Sequence, residues 1–322
     1  PALAAAPPAP APGPVAGAPL TVAVVGGDAD QEAGFRAYVD LLNAGGGIAG
    51  RPVRSAPAPL AGAIATVNLG AEAIGPTVPP SGPVLETLAA PEAVLGGDVL
   101  GLAGPPERQA RLAVDEVFPA PSPGATAVLV TATRGIFATT VADAFESGLR
   151  SRGVSVTRAA FTTGQPTNLP PGAAVFVSLG PAEARAWVAT TRPARSVTGI
   201  YSLYDPSLVT QLPDGSRLVS PYRAPGGAEA DAIRTGSRRD LGAGVLHGWA
   251  TAKALAVALW RSGADEPAEV TAALVGLAGY DSGLAPPYEV RPGTRSRTPE
   301  GLVLAVASGA FVPRSDFRRD TT

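Results

Sequence analysis

Short, wholly apolar runs alternate along this chain with longer stretches in which apolar positions recur every three or four residues. That alternation predicts repeated strand–helix units. The first is the clearest. Residues 21–25 (TVAVV) are apolar and β-branched and stop at Gly26-Gly27, as a buried parallel strand does. Asp28 or Asp30 can cap a helix whose Phe35, Tyr38, Val39, Leu41 and Leu42 share one stripe. The helix is expected to end at Asn43-Ala44-Gly45, with Gly45 taking the left-handed C-cap geometry, before an extended segment from Gly50 to Val53. Strand, loop, helix, strand is a βαβ unit. In sheets built from such units, ligands bind in loops at the carboxyl ends of the strands, so residues 26–31 are the first place to look for a site.

The same pattern predicts a short helix over 60–69 and strands over 71–74, 83–85 and 98–102. An amphipathic helix over 106–118 has Pro106 near its start and Glu107 in its first turn. The sequence PAPSPG at 119–124 interrupts the alternation and is expected to carry the chain between lobes. Strands over 125–131, 154–161, 173–179, 197–201 and 217–220 follow, with helices over 137–152, over 181–190 and from Pro206, making a second doubly wound unit. A long helix over 241–261 and a shorter one over 266–276 come next. Extended segments at 288–290, 301–306 and 311–312 predict a terminal hairpin closing over a lobe.

Composition narrows the class. A chain of 322 residues suits two lobes rather than one core, and 45% apolar with 16% charged residues fits a globular protein. Net charge is −2, which supplies no basic field for nucleic acid, and Lys253 is the sole lysine. There is one histidine and no cysteine, so zinc sites of the Cys/His kind are excluded, and no cofactor is expected. Methionine is absent too, which predicts that a signal peptide, a lipid-anchored segment or an upstream part of a larger protein precedes the sequence. Residues 1–19, almost all Pro and Ala, read as a polyproline-like tether.

Several motifs dissolve on inspection. Residues 45–50 satisfy G-x-G-x-x-G, but they follow a helix and precede a strand, the reverse of a dinucleotide site. His247 sits inside a predicted helix with no nucleophile and acid to complete a catalytic set, so packing is its expected role; Trp249 and Trp260 are assigned to the core. No D-x-D-x-D-G run suggests calcium. What remains is a set of residues in loops that end predicted strands: Asp28, Thr77, Thr87, Phe137, Ser178, Tyr201, Tyr204 and Tyr222. Apolar and aromatic walls with a few convergent polar groups suit a small-molecule cleft. Capping is the favoured role of Asp28, although its position also suits a ligand.

The order of motifs resembles one family. Residues 43–51 (NAGGGIAGR) are similar, with one extra glycine, to the "N-A-x-G-G-I-x-G-R" turn of the type I periplasmic binding proteins, the branched-chain amino-acid receptor family of ABC importers. Residues 85–91 resemble that family's "PSATAP" loop, 101–117 its following strand and helix, and 137–145 its "Y-G-x-G-L-A-D-A-F", with Phe137 at the tyrosine. Residues 279–287 (GYDSGLAPP) and 308–313 resemble its C-terminal motifs. The chain departs from the pattern at three places. The 26–31 loop is short, 75–83 runs almost directly into a strand where the family has a helix, and Ala89 replaces the loop threonine.

The resemblance implies two doubly wound parallel-sheet lobes joined by a hinge, with one helix of the first lobe missing. Lobe 1 is expected over 20–119 plus 240–284 and lobe 2 over 120–239 plus 285–317, with crossings near 119–124, 236–242 and 283–287. It further implies a non-enzymatic, extracytoplasmic solute-binding protein, secreted or a cell-surface lipoprotein. Such a protein holds a small ligand between its lobes, delivers it to an ABC permease and meets the membrane only through an upstream anchor. Phe137 and Tyr201 match family binding-loop positions. An aromatic, sparsely charged cleft predicts a fairly apolar or aromatic ligand. The alternatives are a ligand-sensing domain of a membrane receptor or kinase, or a degenerate member that binds a protein partner.

Overall fold

A computed structural model describes residues 17–58, 62–70, 84–86, 99–263, 266–288 and 301–318. The first apolar run forms β1 (Leu20–Val25), with Val22 and Ala23 buried. Asp28 caps α1 (Ala29–Ala44), which returns the chain to β2 (Val53–Pro57). Gly45 has φ −80°, and the left-handed positions fall instead on Gly46 and Gly47. The Gly47 amide donates to the Leu42 carbonyl, and Asn43 pairs with both backbone groups of Val53 at 2.8 Å. The turn is thereby fastened to the sheet as well as to the helix.

Next in the chain comes β3 (Ala65–Asn68), a buried strand where the pattern predicted a helix over 60–69. All four of its residues are buried beside β1, so the segment has no solvent side and no helical stripe to satisfy. Strands β4 (Val84–Glu86) and β5 (Val99–Gly101) complete a five-stranded parallel sheet of order β2-β1-β3-β4-β5. The strand expected over 71–74 and the helix expected to be missing within 75–83 lie outside the described residues.

The second sheet is fed by α2 (Pro106–Val117), β6 (Thr126–Thr131), α3 (Thr140–Ser151), β7 (Ser155–Ala160), β8 (Ala174–Ser178), α4 (Pro181–Thr191), β9 (Thr198–Ile200) and β10 (Arg217–Ser220). Residues 206–211 make successive turns rather than the expected helix. After β10 come α5 (Gly227–Ser237), α6 (Ala243–Ser262) and α7 (Pro267–Val275), and then the hairpin β11 (Leu302–Ala307) and β12 (Ala310–Pro313). The hairpin does not close over the unit. β11 pairs antiparallel with β10 and extends the sheet to β12-β11-β10-β9-β8-β6-β7.

Two compact units result, one of Pro1–Ala103 with Ala224–Thr298 and the other of Gly104–Arg223 with Pro299–Thr322. All three expected crossings move. α2 belongs to the second unit because it packs on α3, β9 and β10, and the Arg217 guanidinium donates to the Glu116 carbonyl at 2.9 Å. The helix α5, unforeseen in the sequence, packs on α1 and α6 and so belongs to the first. Its buried stripe is only Ala230, Ile233 and Ser237, too small to register as an apolar pattern. Residues 279–288 stay with the first unit, where Lys253 Nζ donates to the Ser282 carbonyl at 2.8 Å and Gly279 N donates to Tyr288 O.

Candidate functional site

Both units share one topology. Leaving aside the hairpin, the second sheet reads β7-β6-β8-β9-β10, the same sequence of positions as β2-β1-β3-β4-β5. In a sheet wound in this order, the chain reverses direction across the sheet between the first and third strands. The crevice outside their carboxyl ends is where such sheets take ligands. The crevices in question are therefore β6/β8 in the second unit and β1/β3 in the first.

At β6/β8 the sequence-predicted residues meet. Ser178, the last residue of β8, is fully buried, and its Oγ donates to the Phe137 carbonyl in the β6–α3 loop at 2.6 Å. That bond spans the crevice and fixes the loop carrying the Phe137 ring. The ring lies 6.3 Å from the Tyr201 ring, centroid to centroid, at an interplanar angle of 58°. A side chain at Gly180 would contact the Phe137 ring at 3.6 Å, so the glycine leaves its face room. Tyr201 opens the 3₁₀ turn Tyr201–Leu203 that follows β9. Phe137, Tyr201 and Ser178 thus form one contiguous cluster at the strand ends, largely buried, with Phe137 6% and Tyr201 3% exposed.

The other two tyrosines of the second unit are nearby in chain position but differently engaged. Tyr204 packs edge-on against Phe311 of β12, with ring centroids 5.1 Å apart, and burial pushes its phenol up to about 12. Tyr222 follows β10 and is buried; its backbone amide and carbonyl both bond the Ser220 hydroxyl.

In the first unit, Asp28 is the N-cap of α1. Its Oδ1 accepts from the amides of Asp30 (3.0 Å) and Gln31 (2.9 Å), and its own amide donates to Gln31 Oε1 at 2.7 Å. This reciprocal arrangement is a capping box and engages the carboxylate with its own helix. Gly26 and Gly27, both at positive φ, lead the chain out of β1. A side chain at Gly26 would come within 3.0 Å of the Gly70 backbone, so the β1/β3 crevice is narrowed by backbone alone. Beside it opens a pocket of about 410 Å³ lined by Gly26, Gly27, Phe35, Pro57 and Leu69, with Glu32 and Arg36 among its polar lining. Thr77 and Thr87 lie outside the described residues.

No family model and no curated protein sequence matches the chain. Solved structures do. A branched-chain amino acid ABC transporter protein from Thermus thermophilus with bound valine superposes with a TM-score of 0.73 at 12% identity, over 94% of this chain and 96% of that one. A fatty acid ABC transporter substrate-binding protein from Thermomonospora curvata gives 0.70 at 14%, over 98% and 96%. A solute-binding protein from R. palustris in complex with benzoate gives 0.71 at 14%, over 94% and 98%. The fold is that of the type I periplasmic binding proteins.

Within this periplasmic-binding-protein fold, the remaining chemistry-bearing residues have structural places. His247 is fully buried in α6, and desolvation pulls its imidazole down to about 3. Trp249 is buried as expected, but Trp260 is 51% exposed and does not belong to the core. It lies near the end of α6, one residue past Leu259, the last buried position of the helix. Glu229 Oε1 accepts from Trp249 Nε1 (3.1 Å) and from Lys253 Nζ (2.7 Å), so the sole lysine pins α5 and the 279–288 segment to α6. Among the described residues no group of His, Cys, Asp and Glu is placed to hold a metal ion, and no helix is long and apolar enough to cross a membrane.

Nothing in the sequence marks Gly180, Phe311 or Leu69 as site residues, and Phe35 stands out only as part of the apolar stripe of α1. Gly180, Phe311 and Leu69 matter only through neighbours distant in sequence and carry no local signal.

Proposed function

We propose that the chain is an extracytoplasmic solute-binding protein that captures a small, fairly apolar or aromatic ligand for an ABC importer. The observation that carries this reading is the Phe137–Tyr201 cluster, held by Ser178 across the β6/β8 crevice. Two aromatic rings with one fixed carbonyl offer broad apolar contact at small conformational cost. Proteins of this fold are named for binding valine, a fatty acid and benzoate, ligands that share an apolar body.

The test uses thermal-shift screening of small apolar and aromatic solutes, followed by calorimetry on the hits. Phe137→Ala and Tyr201→Ala should each weaken binding by about tenfold or more, the loss expected when a large ring is removed from a ligand wall. Circular dichroism confirms that each variant is folded. Unchanged affinity in both folded variants would remove the cluster from the site. Tight binding of leucine or valine would refute the apolar, non-amino-acid ligand class.

A further inference from the structure

Lys253 stands where three segments of the first unit meet. From α6, its Nζ donates to Glu229 Oε1 of α5 at 2.7 Å and to the Ser282 carbonyl at 2.8 Å. The same Glu229 oxygen accepts from Trp249 Nε1 at 3.1 Å. Water has little access to these groups: the lysine side chain is 21% exposed, that of Glu229 30%, and Ser282 2%. The two tied segments also hold special places along the chain. It re-enters the first unit at Ala224 and leaves after Thr298. Helix α5 is the first element after re-entry, and residues 279–288 are the last described segment before departure.

Of the two, α5 has little apolar grip of its own. Its buried stripe is Ala230, Ile233 and Ser237, and its last turn rests on α1, where a Cβ on Gly236 would stand 2.9 Å from that of Ala37. Residues 279–288 form a loop closed at its base, with Gly279 N donating to Tyr288 O and Tyr288 N donating to Tyr280 O. Inside it, Ser282 Oγ accepts from the amides of Leu284 and Ala285. These bonds shape the loop without tying it to a helix. The loop also approaches α5 directly, since a Cβ on Gly283 would stand 3.9 Å from Glu229 Oε2. Removing the ammonium would strip a buried carbonyl of its donor and a half-buried carboxylate of its countercharge, each a costly loss.

We propose that Lys253 makes α5 and residues 279–288 one cooperative opening unit. The two segments detach from the rest of the first unit together, in a step short of global unfolding, and the lysine is the group through which each feels the other. Segments with few buried apolar contacts are the ones that open in this way. The chain's return to the first unit and its departure from it thus loosen or hold as one. Nothing in this device depends on the solute or its site, so either can fail without the other.

Hydrogen exchange resolved by residue on the whole chain tests this. Lys253→Met should speed exchange at the Ile233, Gly279 and Tyr288 amides by about tenfold or more, the usual value of hydrogen bonds to a charged group, while β1 and β8 stay within about twofold. Glu229→Gln decides the coupling. It leaves the Ser282 carbonyl intact, yet it should also speed Gly279 and Tyr288, because an ammonium without its carboxylate returns to water. Lys253→Arg keeps the charge and the donors and should lie nearer the wild type. Acceleration of one segment alone in Lys253→Met, or of α5 alone in Glu229→Gln, would show two independent contacts and overturn the unit. Acceleration of β1 along with both segments would place the lysine in global stability and overturn it equally. So would unchanged exchange in both variants.

Discussion

Asp28 precedes α1 by one residue, and its Oδ1 already takes two amide protons from the first turn. A carboxylate so engaged stabilises the helix start, both through those bonds and through the positive end of the helix dipole. Asp28→Ala should therefore cost about 1 kcal/mol of stability, and Asp28→Asn less, because the amide oxygen can still accept. Urea unfolding measures both. Ligand affinity at a temperature where each variant is fully folded separates cap from contact. It stays unchanged if the carboxylate serves only α1, and it falls with both substitutions if the charge also meets the solute. Ser178 illustrates the same economy in the second unit: one buried hydroxyl, read in the sequence as a possible contact, fixes the loop that carries Phe137. Its role toward the cluster is positional.

Helix α1 rests on α6 through glycine, and this element-scale contact constrains the first unit tightly. A Cβ on Gly248 would stand 1.9 Å from the Gln31 carbonyl oxygen, and one on Gly34 would stand 2.1 Å from the Val245 carbonyl oxygen. Both obstacles are helix backbone, which cannot yield as the tip of a flexible side chain can. Gly248→Ala or Gly34→Ala should each destabilise by about 2–3 kcal/mol through overpacking, even though alanine favours helix intrinsically. Chemical denaturation reads this directly, and the sign is diagnostic: a gain in stability would mean that the helices are not in close contact.

Elements of strong period are legible in the sequence. β10 lies over the very residues the pattern indicated, and β1, β6, α2 and α6 fall within a few residues of expectation. The failures have identifiable causes. β3 is buried on all sides and so lacks alternation, while α5 presents too small a buried stripe. The crossings were placed at conspicuous Pro/Gly clusters, but helix packing decides them, and α2 lies on α3 whatever follows it. Of the candidate site, the residues with an aromatic or hydroxyl signal could be named. That Phe137, Ser178 and Tyr201 converge depends on strand order, which no single stretch encodes.

For the whole molecule, buried titratable groups limit stability from both sides of neutrality. The chain has one histidine, so acid titration near pH 6 has one imidazole to report. His247 is held near 3 in the folded state against 6.5 when free, because burial penalises its charge. The folded-state value is depressed, so the unfolded chain takes up the proton first as pH falls. Stability is fully present above 6.5 and drains away between 6.5 and 3, reaching a loss of about 2 kcal/mol at pH 5. On the alkaline side the sign reverses. Tyr38, Tyr204 and Tyr288 are pushed up to about 12 by burial, against 10 when free, so the folded state keeps protons that the unfolded state releases. Their contribution is complete below pH 10 and is lost between 10 and 12. Urea midpoints from pH 5 to 11 should therefore trace a plateau from about 6.5 to 10 with a fall on each side. His247→Gln should flatten the arm between 6.5 and 5, where paired carboxylates are still ionised. An acid arm that persists unchanged in that variant would show that some other group, and not the buried imidazole, sets the limit.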